Sequence, residues 1–459
     1  MQHSQRSVFA STPAVALVVV AAALGAGCHT PRTLIVTPYV TATEGKALYD
    51  KTPDVWRTPD FPVMYVTDRA TTTNEDGETV FTYRRAKGLR YGEAVVRVSP
   101  ELDWNQLVEE STTTTRKQDY VMNIAEVKPL GRLSSINRWI DIEDGKMAVP
   151  AESEPEIAAE VDRFHDAVRE WLDHTTRKDA YVFIHGFNNT FDHAMFRIAE
   201  IWHFMGRQGV PIAYTWPAAR GGIRGYTYDR ESGEYTINHL KQFLRALAST
   251  PGLERIHLIS HSRGTDVTAT AVRELYIEAK AAGEDPSKTL KIGTLVLAAP
   301  DIDTEVFSQR FGAEMVCNAT DRTVVYFSPD DEAIWWARWL FDSVRRLGQL
   351  LVTDITPDER ERLAQLPRME LIDCTVSGFS TSHNYVFSHP SAMSDLILVV
   401  RDGCPPGCCE RPLTPTEGIW SITNQYMVPV KRLKVGESEF PEVAPEATPE
   451  TAPAATTAP

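Results

Sequence analysis

A serine hydroxyl is a weak nucleophile until a base takes its proton, so serines in sharp turns, histidines and carboxylates are the first residues to weigh. The stretch Ile256-His257-Leu258-Ile259-Ser260-His261-Ser262-Arg263-Gly264-Thr265-Asp266 holds one such serine. A short apolar run ends at Ser262, and Val267, Ala271 and Leu275 then recur on one helical face. The spacing predicts strand, sharp turn and helix, in the form S-x-S-x-G. That form is close to the G-x-S-x-G elbow that lifts a nucleophilic serine out of a sheet. Gly264 supplies the small residue needed where strand and helix backbones nearly touch, and Ser260 stands where the first glycine is usual. An ordinary strand-to-helix turn carries such a string too, so the nucleophile reading of Ser262 depends on its partners.

In parallel α/β sheets the chemistry sits beyond the carboxyl ends of the strands. After the apolar run Ala180-Tyr181-Val182-Phe183-Ile184 comes His185-Gly186-Phe187-Asn188-Asn189. A loop of this type gives one backbone N–H to an oxyanion, and the residue after the nucleophile gives the other. These donors are the N–H groups of Phe187 and Arg263, with Asn188 as the alternative to Phe187. His185 precedes the elbow and lies within the loop, so ordering that loop suits it better than acting as base. An acid is expected after the strand Thr323-Val324-Val325-Tyr326-Phe327, where Asp330 and Asp331 both stand. A base is expected later still. His383, in Ser382-His383-Asn384-Tyr385, is favoured over His389, which precedes Pro390 and suits a packing or capping role.

The elements that must hold these residues are legible as runs and periods. Phe61–Thr67 and Glu93–Ser99 read as strands, with a polar turn from Asp68 to Gly77; residues 112–150 are ambiguous. Ile157, Val161, Phe164, Val168 and Leu172 then mark a helix. Strands at 180–184, 211–216, 256–259, 294–298, 323–327 and 370–373 alternate with amphipathic helices. This predicts the α/β class, a mostly parallel sheet with helices on both faces.

Composition bounds the partners. With 459 residues and a net charge of −15, the chain has no basic surplus to neutralise phosphates, so nucleic acid is not an expected partner. Ala14–Leu24 is an apolar run too short for a comfortable membrane span, and Gly25-Ala26-Gly27-Cys28 follows. This end resembles a bacterial lipobox, with Gly25 where leucine is usual. It implies a signal peptide over 1–28, lipidation of Cys28 and a membrane anchor in the cell envelope. A plain signal peptide would leave the protein secreted. Residues 29–59 are polar and proline-bearing and read as a tether. The main domain is expected over 60–402, a Cys/Pro-containing extension over 403–436, and a disordered Pro/Ala/Thr/Glu-rich tail over 437–459. Cys404-Pro405-Pro406-Gly407-Cys408-Cys409 fits no zinc template, so a local disulfide clip is expected. No metal site is expected. Asp301 and Asp303 follow a strand end without a histidine partner, so they are read as structural hydrogen-bonding groups. Trp335, Trp336, Trp339, Leu340, Phe341, Val344 and Leu347 mark an aromatic-rich helix, read as packed on the sheet flank rather than as an acyl-binding wall.

The motifs occur in a fixed order: Tyr65-Val66-Thr67-Asp68-Arg69, Tyr91-Gly92, His185-Gly186-Phe187-Asn188-Asn189-Thr190-Phe191, Thr215-Trp216-Pro217-Ala218, Ser260-His261-Ser262-Arg263-Gly264, Ala299-Pro300-Asp301-Ile302, Tyr326-Phe327-Ser328-Pro329-Asp330-Asp331 and His383-Asn384-Tyr385. Together, from about residue 60 to 402, they resemble a bacterial α/β-hydrolase family long catalogued as a domain of unknown function. The resemblance implies an α/β-hydrolase fold and a Ser262–Asp331–His383 triad, because Asp331 falls on the acid of the family's Ser-Pro-x-Asp pattern. Asp330 is then left as a helix N-cap. Arg263 stands where the family usually has methionine, a change that would bear on substrate choice. No cofactor is needed for such chemistry. A small-molecule or lipid ester is the expected substrate, by analogy of fold. A catalytically inactive envelope protein using the same fold as a binding module is the rival expectation.

Overall fold

The computed structural model describes residues 32–134, 140–143, 145–331, 334, 346–350, 356–358, 361, 365, 368–375, 383–408, 410–416, 418–423 and 426–427. The chain divides after Val428, and residues 429–459 form a second unit outside the described residues. Cys28 and its apolar run, Cys409, the tail and the aromatic residues from Trp335 to Val344 also lie outside them.

The strands are β1 (Phe61–Thr73), β2 (Thr79–Ser99), β3 (Val121–Ser134), β4 (Asp141–Glu143), β5 (Lys146–Ala148), β6 (Asp179–Ile184), β7 (Val210–Thr215), β8 (Arg255–His261), β9 (Ile292–Ala298), β10 (Thr320–Phe327), β11 (Met369–Asp373), β12 (Thr414–Thr416) and β13 (Ile419–Ser421). β4 and β5 form a separate hairpin, and the other eleven make one sheet in the order β12-β13-β11-β10-β9-β8-β6-β7-β1-β2-β3. Its centre, from β11 through β1, is parallel throughout. Antiparallel pairs occur at the two margins, β1 with β2, β2 with β3, and β12 with β13. Successive side chains on a strand point to opposite faces. Every residue of β6, β7 and β9 is buried, so both faces of the central sheet are covered. That is why these strands read as unbroken apolar runs rather than as alternations.

The flanking helices are α1 (Glu154–His174), α2 (Phe191–Phe204), α3 (Gly222–Ala248), α4 (Arg263–Ala281) and α5 (Pro390–Arg401). α2 packs on β6, β7 and β1, and α3 packs along α4. The α/β-hydrolase architecture expected from the sequence is the one observed.

Three boundaries differ from the expectations. The segment read as a tether packs on the domain from its first described residues. Arg32 pairs with the buried Glu200 at 2.6 Å, Leu34 N–H donates to Tyr120 O, and Trp56 stacks on Trp171 at 5.2 Å. Its anchors Leu34, Val40, Tyr49 and Trp56 are buried but joined by short turns, which leave no period to read. The turn expected over 68–77 is mostly strand, because β1 runs on to Thr73 and pairs with β2 through register shifts near Arg69. The extension after 402 supplies β12 and β13, the latter paired to β11. Arg411 bolts it down, fully buried between Asp395 at 2.9 Å and Glu370 at 2.6 Å. Cys404 and Cys408 are free thiols, so they do not form the expected clip with each other. Arg411 supplies the holding contact there instead.

Candidate active site

Ser262 lies between β8 and α4 with φ 53° and ψ −126°. A side chain at positive φ is costly, and its neighbours hold it there. Ser262 N–H donates to Ala298 O at 3.0 Å, and Thr265 N–H donates back to Ser262 O at 3.0 Å. The two glycines of the site are both steric requirements. A Cβ on Gly264 would lie 2.3 Å from His185 O, and one on Gly186 would lie 2.6 Å from Ser262 Cβ. The turn at Ser262 and the loop after β6 are therefore in direct contact, and only glycine fits at either place.

Phe187 N–H and Arg263 N–H find no acceptor among the described residues. Arg263 begins α4, so its N–H is one of the unpaired amides at the positive end of the helix dipole. Asn188 is not the alternative donor through its backbone, because its N–H is committed to Asp229 Oδ2 at 3.1 Å. The Arg263 guanidinium is turned onto its own helix, 2.8 Å from Asp266, and the residue is buried.

His383 Nδ1 lies 2.8 Å from Asp331 Oδ2, and the Asp331 side chain is fully buried while His383 is partly exposed. Asp331 Oδ1 accepts from Ile334 N–H at 3.2 Å, so Asp331 contributes a capping bond to the following segment. Asp330 is exposed. Gln349 Nε2 donates to Asp331 O at 2.7 Å and fixes the turn. Tyr385, buried two residues beyond His383, donates to Tyr326 O at 3.2 Å and ties the histidine turn to β10. His389 caps α5 through Nδ1, which accepts from Ser391 N–H at 3.1 Å.

His185 orders the loop after β6. It is fully buried, stacks on Trp216 at 5.0 Å, and donates from Nδ1 to Gly186 O at 2.8 Å. Nε2 is then an acceptor for Arg69 Nη2 at 3.1 Å. Burial, with Arg69 beside it, holds its pKa well below the ordinary histidine value. Asp301 and Asp303 are hydrogen-bonded, the former by Tyr226 Oη at 3.3 Å and the latter as cap to Glu305 and Val306 N–H. Among the described residues no group of three or more His, Cys, Asp and Glu could hold a metal.

Three residues of the site carried no role in the sequence reading. Arg69, buried and lowered to about 10 by desolvation, donates to Ala218 O at 2.9 Å, Asn189 O at 2.7 Å and Thr215 Oγ1 at 2.8 Å. It clamps the loops after β6 and β7 together, and its only sequence signal was membership of the Tyr65–Arg69 motif. Asp229 accepts from Asn188 and Ala219 N–H, both at 3.1 Å, from a place on α3 that nothing in the sequence marks. His261, at the middle of the elbow, donates from Nε2 to His383 O at 3.0 Å, with the two rings 4.8 Å apart. Burial, aided by His383, lowers its pKa well below the usual value and keeps it a neutral prop.

Residues 161–401 match the family described as alpha/beta hydrolase of unknown function (DUF900), and the chain belongs to that family. No curated protein sequence matches this chain. Among solved structures, similar ones include a predicted CIB-like hydrolase from Thermoplasma acidophilum, at 11% identity, with 50% of this chain and 88% of that one covered and a TM-score of 0.28. A thermophilic esterase from the planctomycete Thermogutta terrifontis is 15% identical, with 49% and 81% covered and a TM-score of 0.27. A fungal esterase from Rhizomucor miehei is 13% identical, with 57% and 82% covered and a TM-score of 0.27.

Proposed function

We propose that this α/β-hydrolase is a serine hydrolase acting on carboxylic esters. The observation that carries the reading is the His383–Asp331 pair at 2.8 Å, at the carboxyl end of the parallel strands where Ser262 also sits at positive φ beside two open N–H groups. Ser262 Oγ attacks the acyl carbonyl, and His383 Nε2 takes the hydroxyl proton. Asp331 fixes the tautomer with the proton on Nδ1 and stabilises the imidazolium. The N–H groups of Phe187 and Arg263, with the α4 dipole behind them, hold the oxyanion. Collapse expels the alcohol, which carries away the proton from His383. Water, deprotonated by the same ring, then releases the acid and restores Ser262. Esters are favoured as substrates because an alkoxide leaves more readily than an amide nitrogen. No step calls on a cofactor.

The lipobox-like Gly25–Cys28 supports an envelope location with Cys28 acylated after cleavage at Gly27. Mass spectrometry of the mature N-terminus tests this, and a mature chain beginning elsewhere would reject the anchor. For the chemistry, purified protein should hydrolyse p-nitrophenyl esters, with the best chain length defining the acyl pocket. Ser262→Ala should retain the fold by circular dichroism and lose turnover. Unchanged turnover in that variant would sink the serine mechanism.

A further inference from the structure

At the opposite end of the sheet from Ser262 lies a polar cavity of about 510 Å³. β8 joins the two: Arg255 opens the strand at the cavity, and the elbow follows its last residue, His261. Seven strand residues separate the two sites by roughly 20 Å, so the cavity is not part of the acyl site. Its floor is His257, which is 6% exposed and stacks on Tyr181 at 5.3 Å. Among the described residues neither ring nitrogen of His257 makes a close hydrogen bond; Nε2 pairs loosely with Asp179 Oδ2 at 3.6 Å, and Nδ1 has no partner. The unmet Nδ1 of a buried imidazole is costly unless something in the cavity meets it.

Beside His257, on the paired strand β9, is Gly293, where a side chain would crowd the floor. A Cβ there would lie 3.0 Å from His257 Cε1 and 3.1 Å from Arg255 Cδ. Four arginines and three aspartates line the space, in a chain whose net charge is −15. Arg401 is saturated by Glu44 and Asp402, and Arg322 by Glu370 and Cys404 O. Arg255 is not: among the described residues its one ion pair is with Asp321 at 3.5 Å, with both side chains more than half exposed. Arg177 reaches Asp179 at 3.4 Å and donates from the same Nη1 to Arg401 O. Arg255 and His257, two residues apart on β8, point to the same face of the strand.

We propose that this cavity is a second ligand site, for the oxyanion of a small molecule, with Arg255, Arg177 and His257 as donors. Guanidinium groups suit phosphate or carboxylate oxygens, and a charge-assisted bond to a buried imidazole strengthens the set. Three donors, Arg255, Arg177 and His257, face two carboxylates, Asp179 and Asp321, while Asp402 is held by Arg401. A phosphate and a carboxylate share this chemistry, and two probes separate them.

The test is calorimetric titration of the full protein with inorganic phosphate and, separately, with acetate. The expected result is saturable binding of one equivalent, with the tighter probe identifying the oxyanion. Arg255→Ala and His257→Phe should each weaken it at least about tenfold, while ester turnover stays unchanged. Arg255 is exposed enough that its variant should fold even if His257→Phe does not, which thermal melting would reveal. Absence of saturable binding by both probes, or affinity unaltered in Arg255→Ala, would overturn the proposal.

Discussion

Asp331→Asn isolates the carboxylate from the rest of the site. The substitution keeps size and shape. Asn can still accept from Ile334 N–H through its Oδ1, and asparagine caps about as well as aspartate, so stability should change by no more than about 1 kcal/mol. The amide nitrogen would then occupy the Oδ2 position, 2.8 Å from His383 Nδ1. Two donors cannot share that contact, so the ring takes the tautomer with its proton on Nε2. A protonated Nε2 cannot accept the Ser262 proton. Loss of an orienting carboxylate in a known triad lowers kcat by about 10⁴, and a fall of three to four orders of magnitude is expected here, about 4–5.5 kcal/mol of barrier. Asp330→Asn is the control, since Asp330 is exposed and belongs to no proposed step. It should stay within about twofold of the parent rate, a surface change being near neutral. The assay is p-nitrophenyl acetate hydrolysis by both variants, with matched circular dichroism and melting curves. A folded Asp331→Asn enzyme with more than about a tenth of the parent kcat would refute the tautomer argument, as would a dead Asp330→Asn.

Gly186→Ala should abolish turnover in protein that still folds in part, because its Cβ would meet Ser262 Cβ at 2.6 Å; full activity would mean that the loop moves freely. Arg69→Met strands buried acceptors on two loops and should cost about 3 kcal/mol of stability. It should also cost about a hundredfold in kcat with little change in KM, as a misplaced oxyanion donor would; a purely structural role would leave the kcat of the folded fraction intact. His185, His203 and His261 all have pKa values held well below the ordinary 6.5 by burial. As pH falls below 6.5 the unfolded chain gains protons that the folded chain refuses, so stability falls, by up to about 1.4 kcal/mol per pH unit for each group. Thermal melts between pH 7.5 and about pH 5 should show a decline beginning near pH 6.5, and a flat profile would contradict the buried neutral assignments.

The parallel centre was legible because full burial writes itself as continuous apolar runs, as in Ala180–Ile184. The elbow was legible because its sterics permit few residue types. What hid was held by irregular contacts. Trp56 and Leu34 pack through short turns without periodicity, so a folded segment reads as a tether. Arg411 is a charge at the centre of a buried ion network, and an isolated arginine in a Cys/Pro-rich stretch looks like solvent-facing extension. Within the candidate site, residues at strand ends were legible, because topology says where to look. Arg69 and Asp229 act on loop backbone from a neighbouring strand and helix. Such long-range support leaves no local pattern.

The account rests on Ser262 being an activated nucleophile. The most direct measurement is reaction of the purified protein with a fluorophosphonate, followed by peptide mass spectrometry. The account predicts one stoichiometric adduct on Ser262, lost in Ser262→Ala and slowed by orders of magnitude in Asp331→Asn. An unlabelled folded protein, or an adduct on another residue with Ser262 untouched, would contradict it.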